Sequence, residues 1–141
     1  MAARPPWSKD SLLQACTRCD ACIAACEEDI LIRGDGGYPE IDFSRGGCTF
    51  CGACREACEH DAFTAAAAKP WSQAAMLKDA CLSTQGIVCR ACDDACDYQA
   101  LSFRLQTGGR ALPTIDHAAC RGCGACVAVC PDNAIRMGAV A

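Results

Sequence analysis

Three times along this chain a run of four cysteines recurs with the same gaps: Cys16-x2-Cys19-x2-Cys22-x3-Cys26, Cys48-x2-Cys51-x2-Cys54-x3-Cys58 and Cys120-x2-Cys123-x2-Cys126-x3-Cys130. A looser set, Cys81-x7-Cys89-x2-Cys92-x3-Cys96, completes four quartets with no cysteine left over. Thiolates spaced by two residues on a tight loop reach three adjacent irons of a cube. After the x3 gap the chain is turning into a helix, so the fourth thiolate points away, toward the cluster of a partner run. The spacing therefore predicts four 4Fe–4S clusters. Cys16, Cys19 and Cys22 would join Cys58, and Cys48, Cys51 and Cys54 would join Cys26. Cys81, Cys89 and Cys92 would join Cys130, and Cys120, Cys123 and Cys126 would join Cys96. Zinc prefers two separated ligand pairs, often with histidine, and suits these runs less well. In the looser quartet the long gap after Cys81 demands an inserted loop, and the competing reading makes Cys81 a buried free thiol.

Composition agrees that something other than an apolar core holds the chain. Cysteine supplies 16 of 141 residues, while Leu, Ile, Val and Phe together supply 23. Much of the 52% hydrophobic fraction is alanine and cysteine. Alanine buries little area, and such a core does not offset the entropy of ordering the chain. Disulfides and metal ligation are the two remedies, and compartment separates them. The opening stretch, MAARPPWSKDSLLQAC, has no apolar segment of the secretory kind, and no stretch approaches a membrane span. A reducing, cytoplasmic location is expected, where dense cysteine means metal. The formal charge of −4 falls to about −12 once four clusters at about −2 each are added. That balance argues against nucleic acid and for a basic patch on a protein partner.

A longer period lies above the quartets. Pro6-Trp7-Ser8 precedes the first quartet as Pro70-Trp71-Ser72 precedes the third, and Pro39-x-Ile41-Asp42 leads into Cys48 as Pro113-x-Ile115-Asp116 leads into Cys120. The expected architecture is α+β: two tandem bacterial-ferredoxin-like units, residues 1–66 and 67–141, each with short helices and a small antiparallel hairpin around two clusters. Residues 65–70, AAAAKP, read as the linker. The hairpins run from Leu31-Ile32 through Gly34-Asp35-Gly36-Gly37 to Tyr38–Asp42, and from Leu101–Leu105 through Gly108-Gly109 to Leu112–Asp116. Ser8–Ala15 and Ser72–Ala80 carry good helix formers behind a serine and read as short helices. A turn after each fourth cysteine ends in Leu31, Phe63, Leu101 or Ile135, expected to pack over the clusters.

Gly52, Ala53, Gly122, Gly124 and Ala125 let the backbone approach the sulfurs or permit tight turns, and both roles are compatible. Arg18, Arg55, Arg90 and Arg121 lie in or beside the runs, as solvated charges or as cations favouring the reduced cluster. Glu27-Glu28-Asp29, Glu59, Asp97 and Asp132 follow the fourth cysteines and suit an acidic docking face or a helix start. Trp7 and Trp71 read as packing residues, His60 and His117 as exposed. No nucleotide-binding glycine motif, flavin site or nucleophile arrangement is present, so a complete enzyme is not expected.

The chain resembles the NapF-type ferredoxin family of bacterial periplasmic nitrate reductase systems. The likeness rests on Arg4-Pro5-Pro6-Trp7-Ser8, Cys16-Thr17-Arg18-Cys19-Asp20-Ala21-Cys22, Gly36-Gly37-Tyr38-Pro39, Asp79-Ala80-Cys81-Leu82, Val88-Cys89-Arg90-x-Cys92 and Cys123-Gly124-Ala125-Cys126. It includes the odd third quartet. The resemblance implies a cytoplasmic accessory protein that acts on the catalytic subunit NapA before export, assisting cluster assembly or setting its redox state. A general ferredoxin-type electron carrier is the alternative. Proline follows only the last fourth cysteine, as Cys130-Pro131, whereas simple ferredoxins keep it in both runs.

Overall fold

The computed structural model describes residues 3–65 and 70–140. The chain divides into two compact units, Met1–Trp71 and Ser72–Ala141. Most of the expected linker, residues 66–69, lies outside the described residues, and with it the expected boundary between 66 and 67.

The first unit is built from α1 (Leu12–Ala15), α2 (Ala21–Ala25), β1 (Leu31–Arg33), β2 (Pro39–Ile41) and α3 (Ala53–Glu56). β1 and β2 pair antiparallel, Leu31 opposite Ile41 and Arg33 opposite Pro39. The glycine-rich turn between them forms a 3-10 turn over Asp35–Gly37, with Gly36 at φ 68° in the left-handed region that glycine enters at little cost. One further antiparallel bridge, Ser8 to Phe63, ties the start of the unit to its end. The interior is small: Trp7, Leu12, Ile30, Leu31, Ile41 and Phe43 are buried. Phe50 stands edge-on to Trp7 at 6.3 Å and to Trp71 at 5.7 Å, and Phe43 meets Trp71 at 6.0 Å. Both tryptophans are thus packing residues of the first unit.

The second unit contains β3 (Gln73–Leu77), α4 (Ala91–Asp94), β4 (Leu101–Leu105), β5 (Ala111–Ile115), α5 (Ala125–Val129) and β6 (Ile135–Ala139). β4 and β5 form the hairpin, with Leu101 opposite Ile115 and Leu105 opposite Ala111. β3 and β6, the two ends of the unit, pair over five residues from Gln73–Ala139 to Leu77–Ile135. Ala75, Cys92, Leu101, Cys126 and Ile135 form its buried core, flanked by Leu77, Phe103, Ile115 and Met137.

Two expectations need correction. Residues 72–80 do not form a helix, because Gln73–Leu77 is strand β3. An isolated nine-residue helix is marginal, since nucleation outweighs what propensity returns. Pairing with β6 instead satisfies the backbone groups and buries Ala74 and Ala75 completely. The helix expected over 8–15 shrinks to Leu12–Ala15, with Ser11 at its N-terminal boundary making no side-chain capping bond, while Ser8 is extended in its bridge to Phe63. Among the described residues no helix is long and apolar enough to cross a membrane.

Candidate metal centres

The three regular cysteine runs shape their backbones in the same way. In the three regular runs the second residue after the first cysteine is left-handed: Arg18 at φ 61°, Phe50 at 56° and Gly122 at 74°. The fourth residue is left-handed as well, with Asp20 at 63°, Gly52 at 80° and Gly124 at 79°, and each of these immediately precedes a helix carrying the third cysteine. Arg18 and Phe50 hold a conformation that costs a side-chain-bearing residue about 1 kcal/mol or more. The compensation is visible. The Arg18 amide donates to Cys16 Sγ at 3.4 Å, and the Phe50 amide donates to Cys48 Sγ at 3.3 Å. After the fourth cysteines of the second unit a second donor appears, Ala100 to Cys96 Sγ at 3.4 Å and Ala134 to Cys130 Sγ at 3.2 Å. The turn that aims these amides passes through Gln99 at φ 50° and Asn133 at 49°.

None of the sixteen cysteines is joined in a disulfide. Twelve of them line three recesses in sets of four. One recess, open to solvent, is walled by Cys16, Cys19, Cys22 and Cys58 with Leu12, Ile23 and Phe63. A second is walled by Cys26, Cys48, Cys51 and Cys54 with Trp7, Ile30 and Leu31. In the second unit Cys96, Cys120, Cys123 and Cys126 share a recess with Leu101, Ile115 and Met137. Of the remaining four, Cys92 lies close enough to Cys81 and Cys130 for their charges to act on it. Leu31, Phe63 and Leu101 thus wall recesses, while Ile135 sits in the core beside Cys92 and Cys126.

The looser quartet departs from the pattern. Cys81 caps a 3-10 turn over Leu82–Gln85, Thr84 Oγ1 donates to the Cys81 carbonyl at 2.6 Å, and Gly86 at φ 86° ends the turn. The insertion therefore folds on itself before Cys89, with Val88 94% exposed. Arg90 occupies the place of Asp20, Gly52 and Gly124 but is not left-handed, having φ −133°.

Burial pushes the thiols of Cys22, Cys54 and Cys92 up to about 11 and that of Cys126 up to about 12. Neighbouring thiols add to the effect: Cys54 and Cys16 act on Cys22, and Cys123 and Cys120 act on Cys126. Four converging sulfurs without a compensating charge resist becoming thiolates. A polynuclear iron centre supplies the missing positive charge and deprotonates coordinating thiols outright. Among the described residues no three His, Cys, Asp or Glu side chains close on one point as the ligands of a single ion do. The sulfurs instead stand around a space, with backbone amides aimed at them, and that donor set fits an iron–sulfur cube.

Comparison with known proteins agrees. Residues 15–63 and 87–134 each match a family described as "4Fe-4S dicluster domain". A ferredoxin-type protein NapF of Haemophilus influenzae is 48% identical over 136 residues, covering 95% of this chain and 77% of that protein. The ferredoxin-type protein NapF of Escherichia coli K12 is 46% identical over 134 residues, covering 94% of this chain and 82% of its own length. The chain belongs to the NapF family of ferredoxin-type proteins. It carries two dicluster domains, and its sixteen cysteines accommodate four 4Fe–4S clusters.

The arginines of the runs are held rather than free. Arg18 lies over Tyr38 at 5.5 Å, Arg90 over Phe103 at 5.5 Å and Arg121 over Tyr98 at 5.9 Å. Arg55 pairs with Glu56 at 3.7 Å, and its Nε is buried without a hydrogen-bond partner. His60 and His117 are exposed, and His117 Nε2 reaches the Ala75 carbonyl at 3.3 Å. Sequence reading missed the amides of Arg18, Phe50, Ala100 and Ala134 as donors to sulfur. The available signal was positional, since glycine stands at 122 where Arg18 and Phe50 stand in their own runs.

Proposed function

We propose that this chain is a four-cluster accessory protein of a periplasmic nitrate reductase system. It acts in the cytoplasm on the precursor of the catalytic subunit NapA before export, helping that subunit's cluster assemble or setting its redox state. One observation supports the reading above others: recesses walled by three cysteines of one run and the fourth of its partner, in a chain of the NapF family. In this reading the ligands are Cys16, Cys19, Cys22 and Cys58; Cys48, Cys51, Cys54 and Cys26; Cys81, Cys89, Cys92 and Cys130; and Cys120, Cys123, Cys126 and Cys96. Each unit holds one interlocked pair.

When bound, the clusters supply reversible one-electron transfer. The chain's own residues do the rest. Thiolates hold the iron, the amides of Arg18, Phe50, Ala100 and Ala134 stabilise charge on sulfur, and Leu31, Phe63 and Leu101 keep water from part of each recess. The protein is a carrier or helper, with no catalytic residues of its own. Residues 1–71 hold seven Lys and Arg against eleven Asp and Glu, whereas residues 72–141 hold six of each. The acidic first unit suits a basic patch on the partner.

A second reading, a general electron carrier, is favoured by the exposure of Cys19 and Cys51, which brings two centres to the surface where a redox partner docks. An anaerobic pull-down with NapA retaining its signal peptide separates the two. Capture of the precursor but not of mature NapA supports the accessory role. No capture, together with fast electron exchange with a redox partner, overturns it. Iron and sulfide quantitation with EPR of the reduced protein tests the shared basis, with about sixteen irons per chain and magnetic coupling within pairs expected.

A further inference from the structure

The left-handed position two residues after the first cysteine allows a controlled comparison within the first unit. Arg18 and Phe50 occupy it with nearly equal φ, and their amides make nearly equal bonds to Cys16 Sγ and Cys48 Sγ, 3.4 and 3.3 Å. At this slot the amide bond to sulfur is therefore matched in the two recesses, while the side chains differ.

Arg18 lines the Cys16/Cys19/Cys22/Cys58 recess, and its exposed guanidinium is held beside it. It lies 5.5 Å over the Tyr38 ring, its Nη1 donates to the Gly36 carbonyl at 3.4 Å, and the Tyr38 hydroxyl is itself anchored to the Leu13 carbonyl at 3.1 Å. The carboxylate on the same wall, Asp20, is paired with Arg33 at 2.5 Å. His60 is the remaining titratable group there besides the thiols. The other recess is different. Phe50 turns its ring toward Trp7 and Trp71, and the wall is completed by Pro6, Trp7, Ile30, Leu31 and Ile41. The charged groups lining that wall, among the described residues, are the exposed carboxylates Glu27 and Glu28, while Arg55, whose guanidinium packs beside Gly52 of the wall, is paired with Glu56 at 3.7 Å.

The geometry points to two clusters of unequal potential in the first unit: the one beside Arg18 takes an electron more readily than the one behind Glu27 and Glu28. This rests on the ligand sets proposed above. Reduction moves one electron from an external one-electron donor onto a cluster, which passes from the 2+ to the 1+ state with no bond made or broken. The cluster and its thiolates become more negative by one charge. A fixed cation stabilises that charge, while paired carboxylates and an apolar wall oppose it, so both differences act in the same direction. Arg18 is a positioning cation and touches no reacting atom. A first electron added to this unit rests on the Arg18 side, away from the acidic wall.

The test is an EPR-monitored redox titration of the full-length, anaerobically reconstituted chain, with dithionite as donor. Arg18→Gln should lower the higher of the two responding midpoints, shifting the electron's distribution between the clusters about three- to fivefold, and Arg18→Lys should restore it. Glu27→Gln combined with Glu28→Gln should raise the lower midpoint. Iron content should stay at the wild-type level in every variant. The proposal is overturned if Arg18→Gln moves no midpoint, or if the arginine and glutamate variants move the same one. A wild-type chain that never takes up about sixteen irons overturns the ligand sets beneath it, and this inference with them.

Discussion

The two units carry the same cysteine grammar in different wrapping. In the first, chain ends meet at a single bridge, Ser8 to Phe63, and the hairpin strands are three residues long. In the second the ends form a five-residue ladder, β3 with β6, and the hairpin strands are five residues long. The aromatic packing also differs, since Trp7, Phe50, Phe43 and Trp71 gather in the first unit while the second relies on Ala75, Leu101 and Ile135. Yet the loops around Cys16, Cys48 and Cys120 take the same backbone path in both. The difference teaches that the cysteine run imposes its local conformation whatever sheet surrounds it. The sheet and aromatic residues decide how the unit closes.

The sharpest way to break this comparison is to remove a ligand. Cys126→Ser, at a buried position of the second unit, should abolish the cluster of its recess and unfold that unit, because metal binding energy is folding energy in so small a core. Iron per chain should fall from about sixteen to about eight to twelve, with the first unit's EPR signal retained. A smaller loss is expected from Cys81→Ser: about four irons, with the β4–β5 hairpin intact by circular dichroism. Retention of all iron would return Cys81 to the role of a free thiol.

The next effects fall on the closing elements. Ala75→Asp buries an unpaired carboxylate at a position 2% exposed and should destabilise the second unit by about 3 kcal/mol or more, measured by denaturant unfolding of the holoprotein. Ser8→Ala removes only the hydroxyl's bond to the Pro5 carbonyl and leaves the backbone bridge to Phe63, so it should cost about 1 kcal/mol or less. Equal losses from the two substitutions would erase the distinction between ladder and bridge.

The smallest expected effect concerns two equivalent aspartates after the hairpins. Asp42 Oδ1 accepts from the Ser44 amide at 3.0 Å and the Ser44 hydroxyl at 2.5 Å, and Arg45 lies 3.4 Å from its other oxygen. These contacts hold its carboxyl below the usual carboxylate range, the Ser44 hydroxyl contributing most. In the corresponding turn the Asp116 carboxylate accepts from the Ala118 amide at 2.9 Å, and no hydroxyl bond to it is seen among the described residues. A lowered folded value means that Asp42 contributes stability above the ordinary carboxylate pKa and loses it as pH falls through the lowered one. Ser44→Ala should flatten that acid-side slope in the first unit, read from unfolding midpoints between about pH 2 and pH 5.

Much of the candidate site was legible beforehand because cluster chemistry is spacing chemistry. Two-residue gaps leave few backbone paths that bring three sulfurs around one space, so the loops at Cys16, Cys48 and Cys120 could be read from the intervals alone. The hairpins were legible for a similar local reason, as Gly34–Gly37 and Gly108-Gly109 interrupt strand-forming stretches. Strand β3 was not. Its residues, QAAML, favour helix locally, and the partner that makes them a strand, IRMGA, lies about sixty residues away. Nor did the intervals reveal that Phe50 and Arg18 serve as amide donors, because a left-handed backbone at a bulky residue contradicts local preference and persists only where a sulfur accepts the bond.

The sequence by itself determined the cofactor type, the number of quartets, the duplication and the family, since all four follow from residue identity and interval. Only the tertiary structure decided that Gln73–Leu77 would be a strand, and that Arg18 and Phe50 would turn the same backbone slot to a cation in one recess and an aromatic cluster in the other. Those outcomes depend on groups far apart in the chain, Ile135–Ala139 for the strand, Tyr38 for the arginine and Trp7 and Trp71 for the phenylalanine. Local propensity yields to such partners when pairing them satisfies more backbone and buries more surface than the local alternative.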